Sequence, residues 1–458
     1  MEQREKFSSR IGFILISVGC AVGLGNVWRF PYITGKYGGA AFVLIYLVFL
    51  AILGLPIMVM ELSVGRASQR SAARSFHVLE PEGSKWHLTS YLAIAGNYLL
   101  MMFYTTVGGW MLIYVKKMLM GEFEGRTTEE IGGIFNGMLA SPSSMMTGML
   151  VVVALGFLVC SMGLRKGVER ITKWMMSLLF VILLVLCIRS ATLPGAADGL
   201  AFYLIPDFGK IVENGVGEVI YAAMGQAFFT LSLGIGAMAI FGSYIDKSRT
   251  LTGEAVHICV LDTVVAFLAG LIIFPACFAF QVNPGEGPGL VFVTLPNIFN
   301  QMAAGRLWGI LFFLFMSFAA LSTIIAVFEN IISFSVDLWK LSRKKASLVN
   351  GIAIAVLSIP CALGFNLWSG FQPLGAGSTI QDLEDFIISN NLLPIGSLLY
   401  LLFCTSRYGW GWKKFTQEAD AGVGLKFPKW SRIYVSYVLP VIVLIIFVMG
   451  YWQKFFRK

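Results

Sequence analysis

Eleven apolar runs, each about long enough to cross ~30 Å of hydrocarbon, follow one another along the chain and leave little choice of architecture. They fall at approximately residues 11–36, 38–67, 87–118, 145–163, 167–190, 216–245, 252–281, 302–340, 346–365, 384–405 and 432–454, numbered spans one to eleven. A bilayer offers no water to exposed peptide groups, so a crossing segment must be a helix or part of a closed barrel. Barrel strands show short alternating patterns rather than continuous apolar runs. The reading is an all-α integral membrane protein of about eleven transmembrane helices, a single domain over residues 1–458. Composition agrees: 57% of residues are hydrophobic and 13% charged, and the mean hydropathy of +0.77 lies far above the soluble balance.

The net charge of +9 would suggest nucleic acid in a soluble protein. Here the basic residues border the spans and report orientation instead. With the N-terminus cytoplasmic, the inside segments hold 23 of the 34 Lys and Arg, which by the positive-inside bias supports that orientation and leaves the C-terminus outside. The first run resembles a signal peptide behind Arg4, Lys6 and Arg10, yet it continues through Gly23, Gly25, Asn26 and Arg29 with no cleavage site, so it reads as a retained span. Short loops and brief termini point to a bacterial cytoplasmic membrane. Seven cysteines are scattered singly through the runs without metal or disulfide spacing. His77, His87 and His257 read as lying apart near cytoplasmic span ends, which argues against a metal-dependent membrane enzyme. Three outside connections, Ala196–Lys210, Gly289–Ala303 and Leu367–Ile380, look too apolar or too ordered to be plain loops.

Two spans are interrupted near their middles, span one by Gly19-Cys20-Ala21-Val22-Gly23-Leu24-Gly25-Asn26 and span six by Thr230-Leu231-Ser232-Leu233-Gly234-Ile235-Gly236. Glycine costs ~1 kcal/mol against alanine inside a helix, so paired clusters at bilayer depth suggest unwinding, with close helix packing by small residues as the plainer alternative. Spans one and six head two five-helix halves, 11–190 and 216–405, followed by an extra helix at 432–454. Paired breaks in matching places are the sequence sign of an inverted repeat with a binding site at the midplane. Oxygen-bearing side chains gather there. Asn26, Thr230 and Asp262 lie on spans one, six and seven, and Ser322 and Thr323 on span eight beside Ala319. Hard cations take oxygen ligands. An acid within a span normally marks an ion or proton path.

With these motifs the chain resembles the neurotransmitter:sodium symporter family, in its bacterial amino-acid branch, which includes the leucine transporter and eleven-helix hydrophobic amino-acid transporters. The resemblance runs the whole chain. It is strongest at Ala21-Val22-Gly23-Leu24-Gly25-Asn26-Val27-Trp28-Arg29-Phe30-Pro31, Gly38-Gly39-Ala40-Ala41-Phe42, Gly225 to Gly234, and Ala319-Ala320-Leu321-Ser322-Thr323. It implies sodium-coupled import of a hydrophobic, aromatic L-amino acid by alternating access, with two Na+ ions bound. The first ion would take the Ala21 carbonyl, Asn26, Thr230 and Asp262, together with the substrate carboxylate. The second would take the carbonyls of Gly19, Val22 and Ala319 and the hydroxyls of Ser322 and Thr323. The substrate carboxylate would meet the amides at Leu24 and Gly25 and the Tyr104 hydroxyl. Its ammonium would face carbonyls of Ala21, Phe228 and Thr230 and the Ser232 side chain. The family's monoamine members carry aspartate where this chain has Gly23, which favours an amino acid.

The resemblance lines the side-chain end of the pocket with Cys20, Leu100, Val107, Phe228, Phe229, Ile235 and Val327. It makes Arg29 and Asp385 an external charged gate, with Tyr104 and Phe229 as a lid, and Arg4 and Asp337 an internal gate, with Tyr244 and Glu329 near it. Glu61 matches the glutamate that holds the unwound amides of span six. Ala266 stands where the leucine transporter has a chloride-replacing glutamate; Asp262, one turn earlier, takes that part, so chloride-independent transport is expected. A proton-coupled amino-acid permease of the same fold is the alternative.

Overall fold

The computed structural model describes residues 5–284 and 289–456. Among the described residues nine helices are long and apolar enough to cross a membrane: Ala40–Ser68, Trp86–Met120, Pro142–Ser161, Leu164–Ala191, Leu251–Ala279, Gly305–Trp339, Arg343–Leu363, Ile380–Thr405 and Lys429–Phe456. These are spans two to five and seven to eleven. Span one is the bent pair Arg10–Ala21 and Gly25–Lys36, whose halves meet at 55°. Span six is also in two pieces, Val216–Thr230 and Ala237–Gly242, joined through a turn at residues 231–236. Nine of the eleven expected spans are thus long apolar helices and the bent pair makes a tenth, with ends shifted by only a few residues, while the eleventh, span six, is seen only as its two shorter helices. No strand forms among the described residues; a lone bridge joins Arg249 to Val423.

Local chemistry sets several helix starts. Thr379 and Asp382 form a reciprocal capping box that opens span ten. Pro142 occupies the first turn of span four behind the Ser141 cap. Two of the three connections singled out above are helical, at Ala196–Leu204 with Gly209–Glu213, and at Leu290–Thr294 continuing into Leu295–Gln301. The third is not: between Leu367 and Thr379 the chain forms turns and bends, as Gly370, Pro373, Gly375 and Gly377 would dictate. Three further helices lie in segments that read as plain connections: Ala72–Leu79, Thr128–Ala140 and Trp412–Ala419.

Spans three and eight form the middle of the bundle. Protein buries 67% and 72% of their apolar windows, against 33% for span eleven. Span eleven instead turns Val441, Leu444, Ile445 and Val448 outward, and span five does the same with Val181, Leu184 and Ile188. Lipid tails are as apolar as these side chains, so their exposure carries no penalty in a bilayer. Span three packs along span eight. The first half of span one lies against spans five, seven and eight, and both halves of span six lie against span two. The two broken helices are therefore enclosed by continuous ones.

Candidate functional site

Each break frees peptide groups that a helix would have paired, and buried side chains take them up. In span one Val22 leaves helical geometry (φ −68°, ψ 99°), and the chain resumes at Gly25–Arg29 as a wider π-turn. The Gly23 N–H donates to Asn26 Oδ1 at 3.2 Å, and the Leu24 N–H to the Tyr104 hydroxyl at 2.8 Å. Thr323 Oγ1 donates to the carbonyls of Gly19 and Val22, both at 3.1 Å. Gln226 Nε2 donates to the Gly25 carbonyl at 2.9 Å. In span six Ser232, Gly234 and Gly236 take positive φ of 51°, 97° and 73°. At Gly234 a β-carbon would also stand 2.3 Å from the Leu393 carbonyl oxygen, so glycine is needed there twice over. The Glu61 carboxylate accepts from the amides of Gly234 and, at 3.2 Å, Met238. Asn97 Nδ2 donates to the Ile235 carbonyl at 2.8 Å. The Glu61 carboxylate thus pairs two amides of the span-six break. An unmet peptide group in hydrocarbon costs several kcal/mol, so these partners are what allow the helices to open.

Two groups of oxygens flank the breaks. In the first, Asp262 is fully buried and accepts from Asn26 Nδ2 at 2.8 Å and Thr230 Oγ1 at 3.0 Å. No ion pair to Asp262 forms among the described residues, so neutral dipoles alone surround this acid. Tyr46, buried on span two, faces both Asp262 and Thr230. The second group is neutral throughout. Ser322 Oγ lies 3.0 Å from the Ala319 carbonyl, and Thr323 Oγ1 lies among the carbonyls already named. Spans one, six, seven and eight therefore bring together all the oxygens that the sequence singled out.

Between the two groups is a cavity of about 20 Å³ lined by Ala21, Gly23, Gly25, Leu100, Tyr104, Phe229, Ser232, Thr323, Ile388 and Leu393. It has room for about one water molecule, so a ligand would have to part its walls. Of the pocket candidates, Ala21, Gly23, Gly25, Leu100, Tyr104, Phe229 and Ser232 line it. Of the remaining pocket candidates, Cys20, Leu24, Val107, Thr230, Ile235 and Val327 are buried around it but not at its surface. Phe228 faces the neighbouring vestibule. Ile388 and Leu393, on span ten, are lining residues that the sequence reading missed; the π-turn at Ile388–Leu392 swings them inward. Gly23 sits so close to Tyr104 that a β-carbon would come within 2.2 Å of the hydroxyl and 2.7 Å of Thr323 Oγ1.

Above the cavity, on the far side of Phe229, lies a vestibule of about 250 Å³ bordered by Arg29, Tyr32, Tyr221, Phe228 and Asn390. The Arg29 guanidinium stands 4.3 Å from the centre of the Phe229 ring. The expected pairing of Arg29 with Asp385 is not made; Asp385 accepts from Ser389 Oγ at 2.8 Å instead. At the opposite end, which carries most of the basic residues, Arg4 lies outside the described residues. Asp337 there accepts from the Ser71 N–H at 2.7 Å and lies 3.6 Å from Arg70. Tyr244 and Glu329 do meet, hydroxyl to carboxylate at 2.7 Å. Arg343, which the sequence reading passed over, grips the same carboxylate through both terminal nitrogens. The histidine reading is corrected: His77 and His87 are not apart, because both imidazoles reach the Glu80 carboxylate, at 3.0 and 2.9 Å. Only His257 stands away from them, on span seven.

Comparison with known proteins bears on this arrangement. The model of the sodium:neurotransmitter symporter family matches residues 4–130 and 122–455. An uncharacterized sodium-dependent transporter of Bacillus subtilis (strain 168), YhdH, is 36% identical over 96% of each chain. A sodium-dependent transporter of Haemophilus influenzae is 33% identical over 98% of each. Among solved structures, the crystal structure of MhsT in complex with L-phenylalanine superposes with a TM-score of 0.87 at 39% identity, covering 98% of this chain and all of that one. The Bacillus and Haemophilus relatives are transporters, not enzymes, and their sodium dependence disfavours the proton-coupled alternative.

Proposed function

The chain belongs to the sodium:neurotransmitter symporter family and is a multi-pass, sodium-dependent membrane transporter; on that premise we propose that it imports an aromatic L-amino acid, together with two sodium ions and without chloride. The observation that carries the substrate reading is the cavity beside the span-one break. At one end stands the Tyr104 hydroxyl, with the Leu24 amide that donates to it just behind, groups suited to a carboxylate. The other is closed by Leu100, Phe229, Ile388 and Leu393, with no charged side chain in the lining. MhsT, with the same fold, holds L-phenylalanine. Gly23 supports an amino acid over a monoamine, since an aspartate side chain there would collide with Tyr104 and Thr323.

The first sodium ion takes Ala21, Asn26, Thr230 and Asp262, and the substrate carboxylate completes the set, so ion and substrate bind interdependently. The Asp262 charge, with no basic partner, supplies the anion that chloride would otherwise bring. The second ion takes the carbonyls of Gly19, Val22 and Ala319 with Ser322 and Thr323, displacing the hydroxyl hydrogen bonds now made there. The halves 11–190 and 216–405 act as inverted repeats that rock about this site. The chain sits in a bacterial cytoplasmic membrane with its basic end inside.

A melting-temperature screen of the purified protein against the amino acids tests the reading. Ligand at 100 times its Kd adds about 2.7 kcal/mol to the bound state. Tryptophan, tyrosine and phenylalanine are expected to raise Tm in sodium gluconate as much as in sodium chloride, and not in potassium chloride. A shift that needs chloride, or that survives in potassium, contradicts it.

A further inference from the structure

We propose that His77, Glu80 and His87 form a binding site for a divalent transition-metal ion of the zinc class, at the basic end of the molecule and separate from the sodium and substrate sites. Their ligand atoms lie within 4.8 Å of one another. The two Nδ1 atoms approach the same carboxylate oxygen, Glu80 Oε1, at 3.0 and 2.9 Å, and the two rings stand edge to face with centroids 5.9 Å apart. A tetrahedral ion with ~2.0–2.2 Å bonds to two imidazoles and one carboxylate needs its ligands gathered in this way, and keeps a fourth position for water. Imidazole selects zinc, copper or nickel over sodium or magnesium.

The carboxylate is also oriented from behind. Its Oε2 accepts from the His87 N–H at 3.0 Å and from Ser84 Oγ at 3.1 Å, the kind of outer contact that fixes a metal-binding carboxylate. Binding would replace the two imidazole-to-carboxylate contacts by bonds to the ion, with each ring neutral and its proton on Nε2.

The ion would fasten the end of helix Ala72–Leu79 to the start of span three. That helix packs Phe76 against Tyr400 and Phe403 of span ten, with ring centroids 5.0 and 4.6 Å apart. The Ser71 amide, just before it, holds Asp337 of span eight. The site thus clamps a segment touching spans three, eight and ten. It does not depend on the substrate assigned above.

The test is calorimetric titration of the full-length protein, freed of any histidine tag and stripped with chelator, with zinc chloride at neutral pH. One zinc per chain is expected. His87→Ala and Glu80→Gln should weaken binding at least about tenfold, since even outer-shell changes at such sites cost 10–100-fold. His257→Ala should bind as the parent does. His77→Gln, at a ring that is 59% exposed, serves as the variant least able to disturb folding and should show the same loss. Absence of binding by the parent protein, or binding unchanged in His77→Gln, would overturn the proposal.

Discussion

The two ends of the molecule are closed by different chemistry. At the basic end charged side chains interlock: Arg343 with Glu329 and Tyr244, Arg10 with Glu254, and a fully buried Arg66 with Glu418, which also holds Lys247. Phe7 adds a ring against Tyr244. At the opposite end a vestibule of about 250 Å³ reaches down to a single aromatic ring, covered by one guanidinium. The buried pairs Arg66–Glu418 and Arg343–Glu329 are costly to separate, whereas a cation over a half-buried ring contributes only about 0.5–1 kcal/mol. The vestibule end is therefore the one poised to yield first, and the basic end the one that must be unlocked.

Four changes bear on that contrast. The largest effect is expected from Arg66→Ala. It strips Glu418 of its buried partner and loosens helix Trp412–Ala419 from span two, and breaking such a pair costs about 3–5 kcal/mol. Thermal unfolding in detergent should show a clear drop in Tm, and an unchanged Tm would mean the pair does not hold that end. Next, Glu329→Gln removes the charge that Arg343 and Tyr244 share, a truncation that costs about 2–5 kcal/mol in comparable buried pairs. The basic end should open more often. All seven native cysteines are buried, so a cysteine at Ser333, whose hydroxyl lies 2.9 Å from that of Tyr244, can report the opening: labelling by a polar maleimide should rise severalfold from Ser333→Cys alone to Ser333→Cys combined with Glu329→Gln.

Phe229→Ala takes away both the ring under Arg29 and the roof of the cavity. Apparent substrate affinity should fall about tenfold, consistent with the loss of a ~1–2 kcal/mol aromatic contact, while sodium affinity measured without substrate stays within about twofold. Asp385→Asn should have the smallest effect on stability, under about 1 kcal/mol, because Asp385 holds only Ser389 here. A large drop in Tm would show that the vestibule end is more tightly held than its geometry indicates.

Much of this was legible in the residues. Span positions follow from apolar length alone, and both breaks from glycines at mid-span, because the bilayer allows few alternatives. The oxygens of Asn26, Thr230, Asp262, Ser322 and Thr323 could be read as a group because polar atoms at that depth need a reason. What stayed hidden depends on contacts between distant segments. Ile388 and Leu393 look like ordinary apolar residues of span ten until a π-turn directs them to the cavity. Arg343 looks like one more basic residue at a span end. Helices Ala72–Leu79 and Trp412–Ala419 are short and polar on one face, too weak a pattern beside the spans. His77 and His87 stand ten positions apart in sequence and meet only because the chain turns at Glu80.

We propose that sodium binding drives uptake of an aromatic amino acid through the site between the breaks. Its most direct test is uptake of radiolabelled tryptophan, tyrosine, phenylalanine, leucine and alanine into proteoliposomes under an inward sodium gradient, with potassium as control and Asp262→Ala as the site variant. Accumulation of one or more aromatic amino acids that needs sodium, ignores chloride and vanishes in Asp262→Ala is the predicted result. Uptake equal in potassium, or retained in full by Asp262→Ala, would contradict it.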